Sequence, residues 1–192
     1  MLTLDVQRDT QEPCPGEDDL RRAIELALHA VQNSNRQPQW ELSLRIVDRA
    51  EMQSVNKRFR GKDTPTNVLS FPAELPPGLP DEVALPILGD LLVCAPVVKS
   101  EADSQRKALA AHWDHMLIHG VLHLLGYDHE SEAEAQEMES LETRLLGELG
   151  WPCPYTELPD TGFSDAVTGK IANPTTNPTT DPVAENDARI PA

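Results

Sequence analysis

The sequence predicts an α+β fold in which a small mixed four-stranded sheet packs against about five helices. Segments with alternating apolar residues are interspersed with segments of helical spacing, and their order reads βαβαββααα. Apolar residues make up 39% of the chain and charged residues 25%, as in ordinary soluble domains. No apolar run approaches the roughly 18 residues expected of a membrane span. We therefore expect helices layered on a sheet, away from membranes.

The first half of the chain alternates strand and helix. Residues 2–6 carry an apolar side chain at every second position, which predicts a strand. Residues 18–32 have apolar residues three or four positions apart, which predicts a helix. Residues 41–48 alternate again, and a short helix is predicted over 49–59.

The second half begins with two β-rich runs and continues with helices. The runs TNVLSFP (66–72) and ILGDLLVC (87–94) predict strands, and the Pro-rich segment over 72–86 is expected to be an exposed loop. After residue 94, proline, glycine and serine lie at positions typical of helix starts, stops and caps. Three helices are predicted, over 96–108, 109–125 and 131–149.

A single domain is predicted over residues 1–154. From residue 155 to 192 the composition shifts to Pro, Thr, Asn and Asp, with too few large apolar residues to offset the entropy of ordering, so a disordered tail is expected. The N-terminal run MLTLDVQRDTQEPC lacks the features of a signal peptide, and we expect a cytoplasmic protein. The three cysteines are far apart and fit neither a disulfide framework nor a cysteine zinc site.

The charge of the chain is uneven. The formal net charge of −16 argues against a protein that coats nucleic acid nonspecifically, because that mode of binding requires many basic side chains. Glutamates crowd residues 130–142, whereas four basic residues fall within six positions. Any contact with nucleic acid is therefore expected at a restricted patch. The four basic residues are Lys57, Arg58, Arg60 and Lys62.

Three histidines in the run HGVLHLLGYDH are spaced to bind one metal ion. His119 and His123 lie four positions apart on a predicted helix, so both imidazoles project from the same face. Gly126 lets the chain leave the helix and present His129 from the next turn. Three neutral imidazoles leave one position of tetrahedral zinc open to water, as in catalytic sites. We predict one Zn²⁺ per chain, although imidazoles also suit nickel, copper and iron.

Neighbouring residues refine this prediction. His115 lies one turn before the first ligand and is a candidate for an outer contact of the site or for a surface position. Asp128 either orients an imidazole or the water, or only forms the turn. The spacing also matches metzincin proteases, but their motif has a general-base Glu directly after the first His, where this chain has Gly120. A metalloprotease is therefore the least favoured alternative.

The histidine run, with the blocks NKRFRGKDTPTNVLSFP and LGDLLVC, closely resembles the bacterial YbeY family of endoribonucleases. The resemblance covers residues 2–153. It implies a small α/β fold with a metal in a cleft, cleavage of single-stranded RNA, and a role in ribosomal RNA maturation and ribosome quality control. It also assigns the three histidines as ligands and Arg60, after Phe59, as the functionally important arginine.

Chemistry gives an independent reason for Arg60. Cleavage of a phosphodiester builds negative charge on the non-bridging oxygens, and a planar guanidinium can contact two of them. Lys57, Arg58 and Lys62 are candidates for RNA binding, with a solvated basic surface as the alternative. Asp90 of the LGD block is a candidate outer contact of the metal, next to a glycine that permits close backbone approach.

The leading hypothesis is a zinc-dependent endoribonuclease that cleaves single-stranded RNA, with ribosomal RNA and a ribosomal subunit or ribosome-associated proteins as partners. The nucleophile is either water or the 2′-hydroxyl of the substrate. The alternative from another class is a non-catalytic ribosome-assembly factor, in which the metal only holds the helix and the adjoining turn together.

Overall fold

Four strands form one mixed sheet in a computed structural model that describes residues 1–31, 39–73, 87–129 and 131–156. The strands are β1 (Leu2–Asp9), β2 (Trp40–Val47), β3 (Val68–Pro72) and β4 (Ile87–Cys94). Their order across the sheet is β1-β2-β4-β3. The first three in that order pair in parallel, and β3 runs antiparallel to β4 at the edge. The predicted mixed four-stranded sheet is confirmed.

Within the described residues, five helices accompany the sheet in the predicted order of elements. They are α1 (Glu17–Ala30), α2 (Arg49–Arg60), α3 (Ala95–Ser104), α4 (Leu109–Leu124) and α5 (Glu132–Glu148). The end predicted for the third helix, at residue 108, is wrong. The Ser104 hydroxyl bonds back to the carbonyl of Glu101 at 3.0 Å, and Arg106 has a positive φ of 53°, so the helix ends at Ser104.

The helices cover the two faces of the sheet unequally. The main core lies between one face and the helices α1, α4 and α5, with Ile24, Leu117 and Leu146 among its buried residues. A smaller cluster on the opposite face includes Met52 of α2 and Leu92 of β4. The face that carries the main core therefore positions α4, the helix of the histidine motif.

A glycine allows α4 to lie close to the sheet. A Cβ atom added at Gly120 would lie 2.9 Å from Leu91 Cδ2 and 3.2 Å from Val68 Cγ2. The Ser70 hydroxyl donates a hydrogen bond of 3.0 Å to the carbonyl of the same glycine. The backbone of α4 is thereby held against β3 and β4, and His119 and His123 lie beside the edge strand. The predicted close approach at Gly89 is also present, because its Cβ would collide with the carbonyl oxygen of Phe71.

Parts of the predicted organisation fall outside the described residues. These parts are the loop from residue 74 to 86 and the tail from residue 157 onward. Tyr155, the first residue of the predicted tail, is described and donates a hydrogen bond to Glu142 of α5. The domain boundary at residue 154 stays a prediction. Within the described ranges, no helix is long and apolar enough to cross a membrane.

Candidate metal centre

The first two predicted ligands lie on adjacent turns of α4. The Nε2 atoms of His119 and His123 are 3.1 Å apart, and their rings are nearly perpendicular. Both side chains are partly buried. This is the geometry that the four-residue spacing predicts, with two ring nitrogens directed at one point.

The third histidine is brought back to this pair by a glycine-dependent helix end. Gly126 has a φ of +90°, and its N–H donates to the carbonyl of His123 at 3.0 Å. The N–H of Tyr127 donates to the carbonyl of Leu122, also at 3.0 Å, which completes a Schellman motif. The chain then turns so that the His129 ring lies 5.1 Å from that of His123. The predicted stop and turn are both present.

These three side chains fit a transition metal. One ring nitrogen from each lies within 4.8 Å of the others. Tetrahedral zinc with bonds of about 2.0–2.1 Å requires nitrogens roughly 3.3 Å apart, close to the separation already present between His119 and His123. Burial and the neighbouring imidazoles of His119 and His129 lower the pKa of His123, which favours the neutral form that binds metals. The donor set suits zinc, nickel, copper or iron.

A buried carboxylate behind the first ligand was not predicted. Glu142 of α5 is fully buried, and its Oε1 lies 2.8 Å from His119 Nδ1. Its Oε2 lies 3.2 Å from His115 Nε2 and accepts a hydrogen bond from the Tyr155 hydroxyl. Burial by itself would raise the pKa of Glu142, but these three donors outweigh burial and lower the pKa to about 2.

The sequence carried a signal for Glu142. It lies four residues after Met138 and three before Leu145, within the apolar stripe of α5, whereas the neighbouring glutamates point to solvent. A glutamate at such a position must find buried donors, since an unpaired buried charge is strongly unfavourable. Glu142 was not singled out because it lies within a run of acidic residues.

A second, partly buried network includes His112, nearer the start of α4. His112 Nε2 is 2.9 Å from Glu101 Oε2, and the same carboxylate accepts a hydrogen bond of 3.1 Å from Asn67 Nδ2. Asn67 in turn accepts a hydrogen bond from the N–H of Val68 at 2.7 Å, at the start of β3. The network therefore joins α3 and α4 to the edge strand beside the histidines. Neither Glu101 nor this role of His112 was predicted.

Arg60 and the three histidines line the same cleft. Arg60 is the last residue of α2, and the cleft between it and α4 has a volume of about 550 Å³. Within the described part of the chain the guanidinium has no carboxylate partner, so it is available to an anion. The remaining lining comes from β3 and from the turn after α4. It includes Asn67, Ser70, Gly126, Tyr127 and Asp128.

The other predicted outer contacts differ in their placement. His115 is not one of the three candidate ligands. It contacts Glu142, which also contacts His119. Asp128 accepts a hydrogen bond of 2.8 Å from the N–H of His129, so it shapes the turn that presents the third ligand. Asp90 is not brought to the site. It is exposed on the sheet face opposite α4, beside Gln7 and Arg45, because it alternates with the inward-facing Leu91.

The remaining basic residues surround the end of α2, and none of the three is among the described residues that line the cleft. Lys57 pairs with Asp63 at 2.7 Å, and Lys62 is exposed. The Arg58 guanidinium lies 5.2 Å from the centre of the Phe59 ring, which is 58% exposed and packs edge-on against Phe71. An aromatic ring and cationic side chains are thus exposed beside Arg60.

The structure also explains the substitution that distinguishes this motif from the metzincins. Position 120 faces the sheet and has no space for a side chain, so it could not hold a general base beside the ligands. Peptide hydrolysis by the mechanism of that family is therefore not supported by the site.

Comparisons with known proteins show what this chain is similar to. A family model described as Endoribonuclease YbeY matches residues 5–150. A curated Pseudomonas entomophila protein named Endoribonuclease YbeY is 52% identical over 157 residues, which cover 82% of this chain and 95% of the relative. A Stutzerimonas stutzeri protein of the same name is 50% identical over 163 residues, which cover 84% of this chain and 97% of the relative. A Thermotoga maritima protein of known solution structure is 23% identical, with a TM-score of 0.47, over 77% of this chain and 92% of that one. The family model and the curated relatives show that this chain belongs to the YbeY family of endoribonucleases.

Proposed function

We propose that this protein is a metal-dependent endoribonuclease that cleaves single-stranded RNA in the cleft between α2 and α4. The observation that carries the proposal is that Arg60 and the three histidines line one cleft, although about 60 residues separate them in sequence. The curated relatives, which carry the name endoribonuclease, support the same reaction.

The side chains of the cleft have separate tasks. His119, His123 and His129 would hold the metal, which when bound polarises a phosphoryl oxygen and acidifies water. Arg60 contacts the non-bridging oxygens of the scissile phosphate and stabilises the charge that develops on them. Its guanidinium suits this task because it is planar and cationic and presents two parallel N–H donors.

Exposed groups beside Arg60 support a preference for single strands. Unpaired bases can stack on an aromatic ring, whereas the bases of a duplex are already stacked on one another. Phe59 offers such a ring, and Arg58 lies against it. Lys62 adds positive charge to this area and Lys57 is paired with Asp63, while the chain as a whole carries −16. RNA would therefore be engaged locally and not by wide electrostatic capture.

The resemblance of the sequence to its family also supports a proposal for the metal, the natural substrate and the partners. The metal is zinc, and the substrate is ribosomal RNA during maturation and quality control of the ribosome. A ribosomal subunit or ribosome-associated proteins would present that RNA in the cytoplasm.

A cleavage assay tests the proposal. Metal-free protein is incubated with end-labelled single-stranded RNA and with the matching duplex, before and after addition of Zn²⁺, and the fragments are resolved on a gel. We expect cleavage of the single strand only after metal addition. Products ending in a 2′,3′-cyclic phosphate would identify the 2′-hydroxyl as nucleophile, and a free 2′-hydroxyl would identify water. Stoichiometric metal binding without cleavage would instead favour a non-catalytic assembly factor.

A further inference from the structure

We infer that Glu142 is a positioning residue for the metal ligand His119, and that Tyr155 holds Glu142 in place from the segment after α5. The inference rests on the proposed metal centre. It assigns roles to two residues that do not line the cleft and are not among the three candidate ligands.

The first step concerns the proton on His119. A neutral imidazole carries one N–H, and the nitrogen that lacks the proton is the one that binds metal. Oε1 of Glu142 lies 2.8 Å from Nδ1 of His119, and a carboxylate oxygen accepts hydrogen bonds. The proton is therefore held on Nδ1, and Nε2 is free. That free Nε2 is the atom that lies 3.1 Å from His123 Nε2.

The second step concerns the carboxylate itself. A fully buried glutamate keeps its charge only if donors surround it. His115 and Tyr155 both bond to Oε2, which leaves Oε1 directed at His119. The Tyr155 ring also packs edge-on against His115, with 5.7 Å between ring centres. The carboxylate thus has one orientation that satisfies all three donors.

The third step concerns how Tyr155 reaches this position. Gly150 has a φ of +83° and ends α5, and the N–H of Trp151 donates to the carbonyl of Leu146 at 2.9 Å. The Trp151 indole N–H then donates a hydrogen bond of 2.6 Å to Asp114 on α4, one residue before His115. The segment after α5 is therefore anchored to the helix that carries two of the ligands, and Tyr155 belongs to the metal centre.

The experiment compares Glu142→Gln with Glu139→Gln in the full-length chain. Both variants make the same chemical change on α5, but Glu139 is exposed one turn away. A glutamine at 142 has one oxygen for three donors, so its NH₂ group meets an N–H or O–H unless that partner changes to an acceptor, as His119 does in its Nε2–H tautomer. Zn²⁺ affinity is measured by competition with a chromophoric chelator, and the His119 tautomer by ¹⁵N NMR of the metal-free protein.

We expect Glu142→Gln to bind Zn²⁺ about 10- to 100-fold more weakly than wild type and to lose the single Nδ1–H tautomer of His119. Glu139→Gln should match wild type in both measurements. If Glu142→Gln folds, as judged by circular dichroism, and keeps wild-type affinity and tautomer, the inference is wrong.

Tyr155→Phe tests the inference even if Glu142→Gln does not fold. This variant keeps the ring and removes only the hydroxyl that bonds to Glu142. We expect weaker Zn²⁺ binding in the same direction but by a smaller factor, with a mixture of His119 tautomers. Unchanged affinity together with an unchanged tautomer would overturn the role of Tyr155. Wild-type protein that binds Zn²⁺ but cleaves no RNA would refute the proposed function and leave the positioning role intact.

Discussion

The Nε2 atoms of His119 and His123 lie 3.1 Å apart on adjacent turns of α4, and His129 approaches them from the turn after Gly126. Since Oε1 of Glu142 lies 2.8 Å from Nδ1 of His119, we infer that Nδ1 carries the proton and that the lone pair of Nε2 faces His123. A cation between these nitrogens would be bound by both. Metal binding is therefore expected to depend on each of the three histidines.

Removal of one ligand should abolish metal binding. In His123→Ala only two imidazoles remain, and two ligands hold a divalent ion far more weakly than three. We expect the metal content per chain to fall to the background of chelated protein. The matched control is His29→Ala, because His29 is the exposed histidine of α1. Elemental analysis by inductively coupled plasma mass spectrometry checks both variants, and a metal-replete His123→Ala would contradict the assignment.

The close packing of α4 on the sheet predicts opposite effects of two Gly→Ala changes. Gly120→Ala should lower the free energy of unfolding by about 1–3 kcal/mol, because the new methyl group would press on Leu91 and Val68. Gly147→Ala on α5 has open space around its Cβ and should raise stability by up to about 1 kcal/mol. Urea denaturation monitored by circular dichroism measures both. Equal effects would show that α4 does not lie against β3 and β4 as described.

Most of the fold could be predicted from the sequence because its elements have clear periodicity. The alternation in residues 41–48 and the helical spacing of α1 each report one buried face. β4 was more difficult, since both faces of its last four residues are buried. Its sequence could not show which face Asp90 occupies, and the assignment of Asp90 to the metal site was not supported.

The candidate site was predicted only where its residues are close in sequence. The three histidines lie on one helix and its end, so spacing alone brings them together. Arg60 reaches the cleft through tertiary packing of α2, and only phosphate chemistry and family resemblance pointed to it. Glu142 and Tyr155 were missed because they meet His119 through the packing of α5 and the turn at Gly150, which local patterns do not encode.

Glu101 should give the protein a pH-dependent share of its stability. Burial alone would raise the pKa of Glu101, but hydrogen bonds from His112 and Asn67 outweigh burial and lower the pKa below its usual value near 4.5. A carboxylate with a lowered folded-state pKa stabilises the fold above the unfolded pKa and loses that contribution as the pH falls. We expect wild type to exceed Glu101→Gln by about 1.5 kcal/mol at pH 7.

This difference should begin to shrink as the pH falls below about 4.5, where the unfolded chain takes up the proton first, and should vanish below the lowered folded-state pKa, where Glu101 is protonated in both states. Thermal or urea unfolding at several pH values measures it. Glu139→Gln, which changes an exposed glutamate, serves as the control and should behave as wild type throughout. A gap that stays constant down to low pH would show that the charge of Glu101 is not what stabilises the network.

Phe59 should contribute to the binding of single-stranded RNA. Stacking of one base on an aromatic side chain contributes about 1–3 kcal/mol, so Phe59→Ala should weaken binding by roughly 5- to 150-fold. Phe59→Tyr keeps the ring and should bind as wild type does. Fluorescence anisotropy with a labelled RNA oligonucleotide measures the dissociation constants. Equal binding by the alanine and tyrosine variants would exclude a stacking role for the exposed ring.

The rate of RNA cleavage by metal-loaded Arg60→Ala tests most directly whether the histidines and Arg60 form one catalytic centre. Arg144→Ala is the control, since Arg144 is exposed on α5 and pairs only with Glu148 among the described residues. Single-turnover cleavage of one RNA oligonucleotide is measured at equal metal content. We predict that Arg60→Ala lowers the rate constant about 10²- to 10³-fold while Arg144→Ala leaves it unchanged. Wild-type cleavage by fully metal-loaded Arg60→Ala would contradict the account.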